Sequence, residues 1–172
     1  MTFRSSVGKA LAALVVFVPV LAAMSGASPT PKAAPHARKA ESHCTRVGGT
    51  IMTNLGAIDQ NTTMGTATGD LRGAVGAKIL SSDGVNFLIE HHWVTEAGDT
   101  IFFSPVTEVA TPLNPTNLHI FGLTLPEPIQ VTGGTGRFDG ATGSISAFGA
   151  LDFGHGQTVF RYNGQVCFAD QD

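Results

Sequence analysis

His91 and Trp93 sit two residues apart in the run Val85-Asn86-Phe87-Leu88-Ile89-Glu90-His91-His92-Trp93-Val94. On an extended strand, side chains two apart share a face. The spacing therefore puts Phe87, Ile89, His91 and Trp93 together, with Asn86, Leu88, Glu90, His92 and Val94 on the other side. An imidazole among apolar side chains is a candidate general acid or base near neutral pH. A histidine alone defines no reaction, because it needs a positioned partner. Glu108 and Tyr162 are the weak candidates for that role. Glu90 is expected to point outward, and the face of Glu108 stays open because Pro105 can bulge its strand. A buried neutral His91 bonded to backbone or to Tyr162 is the structural alternative.

Other chemistry is less well supported. His91 and His92 are adjacent on a strand, so their rings face opposite ways and cannot chelate one ion. His119 and His155 are distant, and no Cys or carboxylate stands at ligand spacing. No metal and no cofactor are expected. Ser104, Ser144 and Ser146 lack the G-x-S-x-G context of a hydrolase nucleophile. The run Val131-Thr132-Gly133-Gly134-Thr135-Gly136-Arg137-Phe138-Asp139-Gly140-Ala141-Thr142-Gly143 fails as a dinucleotide loop. Counting from Gly134, its sixth position is Asp139, and no capped helix follows.

These side chains must be held by strands. No long segment after residue 43 carries a 3.6-residue apolar period, and short β-like runs are separated by Gly, Asn, Asp and Pro. Strands are expected over Arg46–Thr53, Met64–Ala74, Ala77–Leu80, Val85–Thr95, Thr100–Val109, Leu118–Leu125, Ile129–Thr132, Gly143–Phe153 and Thr158–Phe168. Asp83-Gly84, Ala97-Gly98-Asp99 and Gly154-His155-Gly156 supply turns. The inward set on Val85–Thr95 should bring His91 and Trp93 toward one mouth. Phe102, Phe103, Phe121, Phe148 and Phe160 are expected to line the space left by small residues such as Gly65, Ala67 and Gly149.

The pattern GGTGRFxGATG between two strands near the C-terminus resembles the allene oxide cyclase and dirigent-protein superfamily. Gly133, Gly134 and Gly136 are the structural residues of that turn. Supporting pieces are Gly65-Thr66-Ala67-Thr68-Gly69 and the stretch from Trp93 to Thr100 before Ile101-Phe102-Phe103. The resemblance implies an all-β protein, a closed antiparallel up-and-down β-barrel of about eight strands, calycin-like, with an axial pocket. It also implies a hydrophobic small-molecule ligand held in a shaped cavity, which the alternation over Val85–Thr95 would line with Phe87, Ile89, His91 and Trp93. The activity implied is that of a cyclase or isomerase, or of a stereochemical guide. A non-catalytic carrier and a filled structural barrel are the alternatives.

The ends of the chain carry other information. Residues 1–27 read as a signal peptide: Arg4 and Lys9 precede an uncharged run from Ala10 to Met24, and Ser25-Gly26-Ala27 offers a small-residue cleavage site. Residues 28–43 read as a disordered Pro/Ala-rich linker, and residues 44–172 as the barrel domain. Secretion, to the periplasm or outside the cell, is the expected destination, with no membrane association of the mature form. Asn61-Thr62-Thr63 is a glycosylation sequon if the source is eukaryotic. The barrel segment holds five Lys/Arg against twelve Asp/Glu, a net charge of −7 that argues against nucleic acid. A homo-oligomer stays open. Cys44 and Cys167 are the chain's two cysteines, and in an oxidising compartment they should pair. In a closed barrel that bridge would fasten the first strand to the last.

Overall fold

A computed structural model describes residues 43–169, all within one compact unit. The signal-peptide reading of residues 1–27 lies outside the described residues, as does the linker apart from His43. The described chain forms ten strands: β1 (His43–Leu55), β2 (Thr62–Ala67), β3 (Gly73–Ser82), β4 (Asn86–Thr95), β5 (Thr100–Phe103), β6 (Val106–Asn114), β7 (Asn117–Thr124), β8 (Ile129–Gly134), β9 (Thr142–Asp152) and β10 (Gln157–Phe168). Every ladder is antiparallel.

Ten strands make eight staves. β5 and β6 pair with the two ends of the same neighbour, β4, and are interrupted only at Ser104–Pro105. β7 and β8 likewise share β9 and are interrupted by a segment holding Pro126 and Pro128. Proline has no N–H for the ladder, and these two staves break at Pro105 and at Pro126 and Pro128, whereas Pro112 stays within β6 opposite Phe121, next to a register shift. Around the ring the order is β1, β2, β3, β4, β5/β6, β7/β8, β9, β10, and β10 returns to β1 through a ladder from His43↔Phe168 to Asn54↔Gln157. The fold is the closed eight-stranded antiparallel barrel, which leaves no free sheet edge.

Cys44 and Cys167 are direct partners in the β1–β10 ladder and are disulfide-bonded across 123 residues. The bridge joins the first stave to the last.

Two expectations about strands need correction. Met64–Ala74 is not one strand: β2 ends at Ala67, a turn occupies Thr68–Arg72, and β3 begins at Gly73 and absorbs Ala77–Leu80. Gly69 takes φ +89° in that turn, a conformation that ends a strand. Phe102 and Phe148 do not line the interior. They are 49% and 56% exposed, because each sits out of phase with its inward neighbours Ile101, Phe103 and Ile145.

The barrel is packed at one end. The loop after β8 folds into a single 3-10 turn, Gly136–Phe138, that drives Phe138 into the barrel with no exposed surface. Gly133 and Gly134 close β8, and Gly136 opens the turn at φ +57°. A Cβ on Gly136 would also displace the Asp99 carboxylate, but it is the positive φ that calls for glycine. Phe138 packs with Leu71, Trp93, Tyr162 and Val166 in the main core. A smaller cluster, Ala110, Leu123 and Leu151, with Phe87, Phe121 and Phe160 against it, lies elsewhere in the barrel.

Candidate functional site

Between these two clusters the interior is hollow. A cavity of about 80 Å³ is lined by side chains from all eight staves, almost all of them apolar. That is several times the roughly 10–15 Å³ one water needs on this scale. Phe87, Ile89, His91 and Trp93 all line it, as the alternation on β4 predicts. Trp93, however, is only 3% exposed and belongs to the packed core, so it stands at the floor of the cavity rather than at a mouth.

Glu108 also faces the cavity, with its residue 6% exposed. The break at Ser104–Pro105 puts it there. Ile101 and Phe103 are the buried residues of β5, whereas Val106, Glu108 and Ala110 are those of β6. The inward phase thus changes from odd to even numbers across the proline. An unbroken strand would have turned Glu108 to solvent.

His91 and Glu108 meet inside. Nε2 of His91 lies 3.9 Å from Oε1 of Glu108, beyond hydrogen-bond range, and Nδ1 of His91 is buried with no hydrogen-bond partner among the described residues. Burial disfavours the charged form of each. It raises Glu108 from 4.5 to about 7. It lowers His91 from 6.5 to about 4, with the neighbouring His92 adding to the effect. At neutral pH the pair is therefore a neutral imidazole beside a carboxyl close to its titration point, not an ion pair. A neutral carboxyl donates a proton and a neutral imidazole accepts one.

Tyr162 is placed differently. Its hydroxyl donates to the Thr68 carbonyl at 2.9 Å and accepts the Leu71 N–H at 3.1 Å. The Trp93 indole, edge-on to Tyr162 with ring centres 5.2 Å apart, donates to the Leu71 carbonyl at 2.7 Å. Gly49 provides room for the phenol ring, which a Cβ would meet at 2.8 Å. Tyr162 and Trp93 thus pin the β2–β3 turn across the closed end, and the Tyr162 hydroxyl has both bonding directions in use there.

Glu90 and His92 lie on the outer face, 3.9 Å apart and substantially exposed. Among the described residues no three His, Cys, Asp or Glu side chains come together as a metal cluster. His155 instead bonds Asp152 at 2.8 Å in the β9–β10 hairpin.

Three polar residues of the cavity, Thr53, Thr63 and Thr158, escape the sequence reading, and two of them form a pair. Thr53 and Thr158 are direct partners across β1 and β10, and their hydroxyls are 2.6 Å apart. Both line the cavity and are 7% and 4% exposed. Their only signal in the sequence is phase: Thr53 alternates with Ile51 and Leu55, and Thr158 with Phe160 and Tyr162.

No family profile matches the chain, and no curated protein does either. Among solved structures, the chain is similar to a pterocarpan synthase dirigent protein, at 17% identity and a TM-score of 0.34, over 76% of this chain and 93% of that one. The barrel assignment rests on the ladders described above and takes nothing from that likeness.

Proposed function

We propose that this barrel binds a small, largely apolar molecule in its axial cavity and constrains its shape, as the sequence resemblance to the allene oxide cyclase and dirigent superfamily implies. One observation carries the reading: an apolar cavity holding His91 and Glu108 together, with the buried Nδ1 of His91 unpartnered among the described residues. Enclosed, mostly apolar sites with a few converging polar groups are the usual form of ligand pockets. A barrel meant only as a scaffold fills this space with side chains.

The pair adds chemistry. Glu108 gives a proton to an oxygen or to an unsaturated carbon of the bound molecule, His91 removes one elsewhere, and the proton on His91 then returns to Glu108, 3.9 Å away, to restore the pair. The composition of the molecule is unchanged, as in isomerisation or ring closure. Exclusion of water keeps His91 neutral, holds Glu108 close to its titration point and protects a reactive intermediate. Holding a flexible chain in one folded conformation contributes further, because orientation alone lowers barriers considerably. The disulfide is in keeping with export to an oxidising compartment.

Trp93 is the single tryptophan and stands on the cavity floor, so it reports occupancy directly. Titration with n-octanol should change its emission saturably, and His92→Ala should respond like the parent. A linear, non-saturating response would overturn the cavity reading. Native mass spectrometry of protein purified from its own host should show a retained small molecule.

A further inference from the structure

The cavity has a second polar place, and it lies across the barrel from the first. Counting staves, β1 is four away from β5/β6, and β10 is four away from β4. In a ring of eight, four staves is half the circumference. Thr53 on β1 and Thr158 on β10 therefore face the wall that carries Glu108 and His91.

Their hydrogen-bonding capacity is not exhausted. Two hydroxyls supply two donors and several lone pairs. One donor is used in the bond between them, the one hydrogen bond that either hydroxyl makes among the described residues. The pair thus presents one spare O–H and free lone pairs to a cavity whose lining is otherwise nearly all apolar. Leaving such capacity unmet in a dry site has a cost that a pair of valines of the same shape would avoid. The hydroxyl of Thr63, which also lines the cavity, accepts the Ala77 N–H at 3.1 Å in the adjoining ladder and keeps its own O–H, but it stands singly, whereas Thr53 and Thr158 are held together as a pair.

Building on the ligand-binding reading above, we propose that Thr53 and Thr158 form a second polar anchor opposite Glu108 and His91, so that the cavity selects an elongated apolar molecule bearing an oxygen function at each end. One end, a carbonyl or hydroxyl, meets the acid–base pair. The other end, a hydroxyl, carbonyl or carboxyl, bonds the threonine pair. The apolar middle spans the barrel between Ile89 and the facing wall. Two anchors fix which end enters which site, which a single anchor in an apolar cavity does not.

The test uses n-octanol and the α,ω-octanediol, with the six- and ten-carbon diols to match the span. Dissociation constants are measured by Trp93 emission and by calorimetry in the parent, in Thr53→Val/Thr158→Val, and in Thr53→Ser/Thr158→Ser. Replacing both partners by isosteric apolar groups is close to neutral for folding, and thermal unfolding of the double valine variant checks it. The valine variant should weaken the best-fitting diol about tenfold relative to n-octanol, the value of one well-placed hydrogen bond. The serine variant, which restores the hydroxyls, should recover most of that loss. A purely structural threonine pair would change both ligands equally, and that result overturns the anchor while leaving the cavity reading intact. If n-octanol itself does not bind the parent, the cavity reading fails and the anchor with it.

Discussion

Glu108→Gln provides the most direct test of the buried pair, because the two groups push stability in opposite directions. Native Glu108 keeps its proton up to about pH 7, whereas the unfolded carboxyl loses it near 4.5. Between those values the native state binds more protons, so stability falls as pH rises and the whole loss is in place above pH 7. Native His91 stays neutral down to about pH 4, whereas the unfolded imidazole takes up a proton near 6.5. There the unfolded state binds more protons, so stability rises with pH and is fully present above 6.5. At about 1.4 kcal/mol per pH unit, each window amounts to about 3 kcal/mol. In the parent the two slopes oppose each other, and stability should be nearly flat between pH 4.5 and 6.5. Glu108→Gln removes the falling slope and should leave stability rising by about 3 kcal/mol from pH 4 to 6.5. His91→Gln should show the converse, a fall from pH 4.5 to 7. Asp59, Asp83 and Asp152, whose hydrogen bonds hold their carboxyls low, lose their contribution only in more acidic solution and do so equally in all three proteins. Urea unfolding free energies measured at intervals of half a pH unit are sufficient. Parallel curves for the parent and Glu108→Gln would show that Glu108 titrates as if in water, and the dry acid–base cavity would be abandoned.

Further outcomes follow from the same geometry. Affinity for n-octanol should fall as pH rises through about 7, because ionised Glu108 draws water into the cavity; a pH-independent dissociation constant would contradict this. His91→Ala should alter ligand affinity and His92→Ala should not, since the two rings lie on opposite faces of β4; the reverse pattern would mean a register error of one residue. Replacing Cys44 and Cys167 by alanine should cost about 2–5 kcal/mol in chemical denaturation, as a native disulfide closing so long a loop does, while the β-type circular dichroism persists at room temperature. Tyr162→Phe should destabilise by about 1–3 kcal/mol, by leaving the Leu71 N–H without its buried acceptor, yet leave n-octanol binding unchanged, because that hydroxyl serves the β2–β3 turn.

Much of the barrel was legible because its signals are local. Period-two alternation on β4 depends only on consecutive residues, so Phe87, Ile89, His91 and Trp93 could be set on one face before any neighbour was known, and all four line the cavity. Glycine and Asp-Gly turns mark strand ends through backbone sterics, which again need no tertiary partner. A composition with two cysteines allows one intramolecular bridge, and that bridge is present.

What the tertiary structure alone decided is whatever depends on phase across a break or on contact across the chain. Local rules could state that Pro105 interrupts a strand but not how the phase resumes. β6 resumes it by pairing with β4 through Phe87↔Glu108 and Ile89↔Val106, and this turns Glu108 inward beside His91. Phe102 and Phe148 are as hydrophobic as Phe103 and Phe160, yet ladder phase rather than hydrophobicity turns them outward. Tyr162 reaches Leu71 across 91 residues, and Thr53 reaches Thr158 across 105. No property of either segment alone encodes those meetings, because ring closure brings the first and last staves together.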